Sequence, residues 1–132
     1  MTSLDTSVDT PVGTVTQVVI NVGSVANNAK GRPSLRWSTL MVIRGPWRFT
    51  VTGRLRVGDA RALLARGRGR GAITQLTASV DACTHHPKLE RGACTAAATL
   101  VLAKHRDLLP RLLAEVQRSL DAFTLATLAG RA

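Results

Sequence analysis

The clearest alternation of apolar and polar positions runs from Trp47 to Val57. Trp47, Phe49, Val51, Leu55 and Val57 interleave with Arg48, Thr50, Thr52, Arg54 and Arg56. Successive residues of a β-strand point to opposite faces, so this spacing predicts a half-buried strand with every Arg and Thr on one side. Gly53 falls on the apolar side, which predicts a bulge or a close packing approach. Upstream, Val15, Val18, Val19, Ile20 and Val22 form a β-branched run ending at Gly23. A polar turn region follows from Ser24 to Pro33. Leu35 to Ile43 is a second apolar run, stopped by Gly45 and Pro46, because proline cannot donate into a ladder. The first 13 residues fit a strand or a flexible arm equally well.

Beyond the central strand, Gly58 to Gly71 (GDARALLARGRGRG) reads as a mobile basic loop in which Asp59 caps a helical turn or two through Ala60 to Leu64. Leu76, Ala78 and Val80 alternate with Gln75, Thr77, Ser79 and Asp81, predicting another half-polar strand. Thr84 to Gly92 reads as a turn-rich loop. Ala93 to Ala103 reads as a further strand, with Ala96, Ala98, Leu100 and Leu102 inward. From His105 the period changes. Leu108, Leu109, Leu112, Leu113, Val116 and Leu120 follow helical spacing, with Asp107 as N-cap and Pro110 in the first turn. A second short helix is predicted with Asp121 as its cap, Phe123, Leu125 and Leu128 as its apolar content and Gly130 as its stop. The expectation is an α+β domain over residues 1–132, strands to about 104 and two helices over about 107–129. Two short helices cover one sheet face poorly, which points to a dimer with helices shared between copies.

Composition narrows the class. At 132 residues and 45% apolar content the chain suits one domain with a modest core and is not a solvated tail. No run approaches the ~18 apolar residues of a membrane-spanning helix. The opening MTSLDTSVDTPVGT has neither basic start nor apolar stretch, which predicts no secretory signal there.

Charge changes the picture further. The formal net charge is +10, and Arg32 to Arg70 alone holds ten arginines against one acid, Asp59. Fifteen of the 18 bases are arginine, whose planar fork suits phosphate better than an ammonium does. A basic surface kept for solubility would spread evenly; this one is concentrated, so a polyanion, by default a nucleic acid, is the expected partner.

Catalytic patterns are weak. No glycine-rich phosphate loop ends in Gly-Lys-Ser/Thr, the acids are scattered, and no nucleophile elbow or H-E-x-x-H is present. The expectation is a protein without catalysis, cofactor, membrane or small-molecule substrate. Cys83 and Cys94 flank ten residues, and three states stay open: a bridge between neighbouring strands, bonds between copies, or two free thiols. Zinc held by Cys83, His85, His86 and Cys94 would need the spacing C-x-H-H-x7-C, which fits no common zinc pattern, so no metal is expected.

Several of these segments together are similar to the coat proteins of single-stranded RNA bacteriophages. The strand WRFTVTGR, residues 47–54, resembles that family's central RNA-facing strand, where a base, two hydroxyl residues and an arginine alternate. The tail from Ala93 to Gly130 resembles its last strand running into two C-terminal helices, and the loop bearing Cys83 and Cys94 resembles a cysteine-bearing loop of some members. The likeness spans nearly the whole chain. It implies an N-terminal hairpin, a five-stranded antiparallel sheet and two helices in an interlocked homodimer. Such dimers build an icosahedral capsid around genomic single-stranded RNA in the bacterial cytoplasm, with the bare sheet face inward, and some also repress translation by binding an RNA hairpin. By position, Arg48, Thr50, Thr52, Arg54 and Arg56 would face RNA, joined by Gln75 and Thr77 from the next strand, and the cysteines would bond around the shell's axes. Relatives stack a base on a tyrosine of the last strand; this chain has no tyrosine and carries Thr95, Ala97 and Thr99 there. A small cellular nucleic-acid-binding protein, ribosome-associated or regulatory, accounts for the same charge.

Overall fold

A computed structural model describes residues 2–27, 32–43, 48–67, 69–86 and 91–130. Among the described residues six strands and four helices follow in order: β1 (Thr2–Thr10), β2 (Gly13–Val22), β3 (Ala26–Asn27), β4 (Pro33–Ile43), β5 (Arg48–Arg56), α1 (Val57–Arg66), α2 (Arg70–Ala78), β6 (Val80–His86), α3 (Arg91–Lys104) and α4 (Leu108–Ala129). Five strands form one antiparallel sheet in the order β1-β2-β4-β5-β6, with the two-residue β3 paired to β4. The α+β class, the antiparallel sheet and the C-terminal helices agree with the sequence expectation, but the N-terminal hairpin supplies two of the five strands rather than adding to them, and two helices precede the last strand. Residues 2–10, left open between strand and arm, form the outer strand of that hairpin.

Strands β4 and β5 build the centre. Leu35, Trp37, Thr39, Met41 and Ile43 are buried on β4, and Phe49, Val51, Gly53 and Leu55 on β5. Their register sets Trp37 directly opposite Gly53. A β-carbon built on Gly53 would lie inside the Trp37 indole, so only glycine lets the ring cross the strand there. The register of β5 against β6 shifts at this same point, between Thr52 and Gly53. The Trp37 indole N–H donates to Ser79 Oγ at 2.9 Å, and the Arg54 amide donates to the Ser79 carbonyl at 3.2 Å. Gly53, Trp37 and Ser79 thus form one joint that fixes the backbone of Arg54.

Among the described residues there are four helices rather than two: α1, α3 and α4 pack on the sheet and α2 packs against α1 and α3. Val57, expected to end the central strand, and residues 58–66, expected as a basic loop with at most a turn or two of helix at 60–64, form α1, burying Val57, Ala60 and Leu63 at helical spacing. Ala, Leu and Arg are strong helix formers, and Asp59 lies in the first turn, where the helix dipole favours an acid. Gly67 at φ 68° ends α1, and α2 starts at Arg70.

The predicted strand through Leu76 and Ala78 is instead α2. Ala72 and Leu76 are its buried residues, four apart, and only from Val80 does the chain extend. The loop predicted from Thr84 yields to β6, which continues to His86. The predicted strand from Ala93 to Ala103 is α3. Cys94, Ala97, Ala98, Val101 and Leu102 are buried, a helical i, i+3, i+4, i+7, i+8 set that the apparent alternation of small residues disguised.

The two short helices expected after His105 are one, the 22-residue α4. Asp107 is its N-cap position and Pro110 lies in its first turn as expected, but the Asp107 side chain makes no cap bond. Asp121 caps nothing; it accepts from Gln117 Nε2 at 2.9 Å, one helical turn earlier. The α3–α4 turn is tied to β1, with His105 Nε2 3.3 Å from the Asp5 carbonyl. Because helices cover the sheet within one chain, the core closes without a second copy. The packing reason for expecting a dimer is therefore removed, although Leu125 and Leu128 on α4 remain 68% and 58% exposed.

Candidate nucleic-acid interface

The alternation that buries one side of β4 and β5 sends the other side to solvent. Arg48, Arg54 and Arg56 are exposed, and Thr50 and Thr52 half-buried between them, all on the face away from the core. This part of the expected row stands on one strand as predicted. Trp47, at its start, lies outside the described residues.

Register adds a partner row from β4. Arg36 stands directly opposite Arg54, Ser38 opposite Thr52, Leu40 opposite Thr50, and Ser34 opposite Arg56. Directly opposed residues of antiparallel strands hold their β-carbons about 5 Å apart, and residues two apart along a strand are about 7 Å apart. Arg36, Arg54 and Arg56 therefore make a compact cationic triangle. Arg36 was missing from the sequence-derived set. Its signal was present: Arg36 and Ser38 are the polar steps in the alternation Leu35, Trp37, Thr39.

Among the described residues none of Arg36, Arg48, Arg54 and Arg56 has an ion pair or a side-chain hydrogen bond. Like charges directly opposed on a sheet are destabilising, so this face is not arranged for the stability of the isolated chain. The remaining arginines of the basic third part company with it. Arg32 is exposed just ahead of β4, Arg61, Arg66 and Arg70 are exposed on α1 and α2, and Arg44 and Arg68 lie outside the described residues.

Gln75 and Thr77, expected on a neighbouring strand, belong to α2. Gln75 Nε2 donates to the Asp59 carbonyl at 2.7 Å, binding α2 to α1, while its buried Oε1 has no hydrogen-bond partner among the described residues. Gln75 shares a cleft of about 280 Å³ with Arg54 and Ser79, so it stands at the edge of the basic face without joining its row. Thr77 Oγ donates to the Ile73 carbonyl at 3.0 Å within its own helix and lines a different depression, with Thr74, Thr95 and Thr99. Thr95, Ala97 and Thr99 lie on α3 and not on a strand beside the arginines. Of the described Trp and Phe side chains, Trp37 and Phe49 point into the core and Phe123 lies on α4.

Cys83 and Cys94 are free thiols. Cys83 is half-buried and pairs with Val51, which puts it on the helix-covered side of β6; Cys94 is buried on α3. They meet between a strand and a helix rather than across a hairpin. The Cys94 thiol is pushed up to about 12 by burial, then by a hydrogen bond and charge interaction with Cys83. Among the described residues no three His, Cys, Asp or Glu side chains cluster as a metal site, and no helix is long and apolar enough to cross a membrane.

The chemistry available on the open face is multivalent, geometrically regular binding of phosphate by guanidinium groups, with threonine and serine hydroxyls between them. No family model, no curated protein and no solved structure matches the chain.

Proposed function

We propose that this chain is an RNA-packaging coat protein: its open sheet face binds the phosphates of single-stranded RNA, and its copies pair and assemble into a closed icosahedral shell, the virion. The observation that carries the RNA-binding half is the opposed pair Arg36 and Arg54 within the exposed arginine row. Two cations held face to face without a counter-ion are stabilised by a polyanion laid across them. The arginines and hydroxyls that make up this face suit phosphate contacts, which carry no sequence information, and so favour packaging over recognition of one hairpin. The shell half is supported by an N-terminal hairpin, an antiparallel sheet and C-terminal helices, together with the family resemblance of residues 47–54; the likeness of the tail is weakened, because residues 93–103 are helix where that family has its last strand. The proposal assigns no reaction and no cofactor.

A second reading is favoured by one finding, the closure of the core by helices of the same chain. A subunit that needs no partner to bury its sheet suits a small cellular nucleic-acid-binding protein acting as a monomer. Expression in bacteria followed by electron microscopy and nuclease protection separates the two. Closed particles holding protected RNA support the shell; a monomer or free dimer that still binds RNA transfers the function to the second reading. In either case replacing Arg48, Arg54 and Arg56 by Ser lowers the RNA bound. The slope of log affinity against log salt becomes shallower by about 0.7 for each phosphate no longer neutralised by an arginine. An unchanged slope removes the open face from the interface.

A further inference from the structure

The two thiols are joined by the fold and not by proximity in the chain. Cys83 sits on β6, which is hydrogen-bonded to β5 on one side and stands at the end of the sheet path. Its register partner Val51 is buried, so Cys83 faces the helices, and it is half-buried there. Cys94, fully buried, is presented from α3 by the same helical face that carries Ala97, Ala98 and Val101 into the core. α3 packs directly against β6, which brings the two cysteine-bearing elements together on the covered side of the sheet. Chance burial of two cysteines accounts for neither the matched orientation nor the difference in access between them.

We propose that Cys83 and Cys94 form a reversible internal disulfide, a modification site that locks α3 onto the end strand of the sheet. The oxidant class is a small-molecule disulfide. Cys83, the accessible sulfur, loses its proton and attacks one sulfur of that disulfide; the S–S bond breaks, one thiol leaves, and a mixed disulfide remains on Cys83. Cys94 then gives up its proton and attacks the Cys83 sulfur, and the second thiol leaves. The protein loses two hydrogen atoms and the small disulfide is reduced to two thiols, so atoms and electrons balance. Burial makes Cys94 a poor first nucleophile, which gives the two cysteines an order of reaction. The bond closes a loop over the ten residues from Thr84 to Ala93 and ties β6 to the helix above it, next to the strand that carries the arginines. It is independent of the RNA reading and holds for a shell subunit or a monomer alike.

The test treats the fully reduced chain with oxidised glutathione and follows intact mass, free thiols after denaturation, and mobility on a non-reducing gel. The expected result is a species lighter by two hydrogen atoms, with no free thiol, running as a monomer and melting at a higher temperature than the reduced chain. Cys94→Ala retains glutathione on Cys83, and Cys83→Ser leaves Cys94 modified about tenfold or more slowly. Three results overturn the proposal: two thiols persisting in the wild-type chain, a stable glutathione adduct on wild-type Cys83, or covalent multimers on the gel. The wild-type measurements decide the matter even where a variant fails to fold.

Discussion

The two faces of the β4–β5 pair are built from alternating residues of the same two strands, yet they obey opposite physics. On the covered face, Leu35, Trp37, Met41, Phe49, Val51 and Leu55 are all nearly inaccessible, and Gly53 is present because any side chain would strike Trp37. Each position answers to its neighbours' shape. On the open face, Arg36 and Arg54 oppose each other and Arg56 lies diagonal to Arg36, an order that self-repulsion disfavours. The contrast teaches where to look for function: one face is explained by packing within the chain, and the other calls for a partner outside it.

The widest gap between the faces is expected from Trp37→Ala. It removes the largest buried side chain, leaves a cavity over Gly53 and deprives Ser79 of its indole donor. Truncating a buried Trp costs about 4 kcal/mol, a large share of the roughly 5–15 kcal/mol that holds a domain together. Urea denaturation should show that loss as a lower midpoint, whereas the Arg48, Arg54 and Arg56 triple Ser variant should hold or raise the midpoint. A triple variant as unstable as Trp37→Ala would erase the distinction between the faces.

How far this contrast could be read without a structure depends on the range of each interaction. The covered and open sides of β5 were legible because a strand's period is local to five or six residues. The first half of α4 was legible for the same reason at helical period. The identity of α3 was not, because Ala and Thr occupy both its faces and an alternation of small residues fits strand and helix alike. Gln75 was misplaced by a short run, Leu76, Ala78 and Val80, that matched period two across the end of α2. The opposition of Arg36 to Arg54, and of Trp37 to Gly53, is a matter of register between strands, which no single segment encodes. The basic face was therefore half legible, as a row, while the feature that argues most for a ligand was hidden.

The Trp37–Gly53 joint offers a medium-sized test. Gly53→Val drives methyl groups into the indole and should cost about 2 kcal/mol, in the range of overpacked cores. Combined with Trp37→Leu, which vacates the ring, the added cost of the valine should shrink, and a double-mutant cycle reports the difference as a coupling energy. Independent, additive costs would show that the ring does not set the requirement for glycine. Because the Arg54 amide is held by Ser79 beside this joint, Gly53→Val should also weaken RNA binding without removing any charge.

The smallest effect is the most pointed. If the open face is arranged for a polyanion at some cost to the isolated chain, Arg54→Thr should make the chain more stable by a few tenths of a kcal/mol, within the ~0.2–1 kcal/mol scale of cross-strand pairs. Arg54→Glu should do more, since it replaces a repulsion with Arg36 by an attraction. Both gains should fade as salt rises from about 0.05 to about 1 M, because the screening length then falls to about 3 Å, shorter than the separation of the two side chains. RNA binding should move the other way, weaker for Thr and weaker still for Glu. A packing role for Arg54 predicts the reverse pattern: stability lost in both variants, indifferent to salt, and lost alongside binding. Stability and binding moving in opposite directions at one residue is what distinguishes a surface held ready for a ligand from one that merely tolerates solvent.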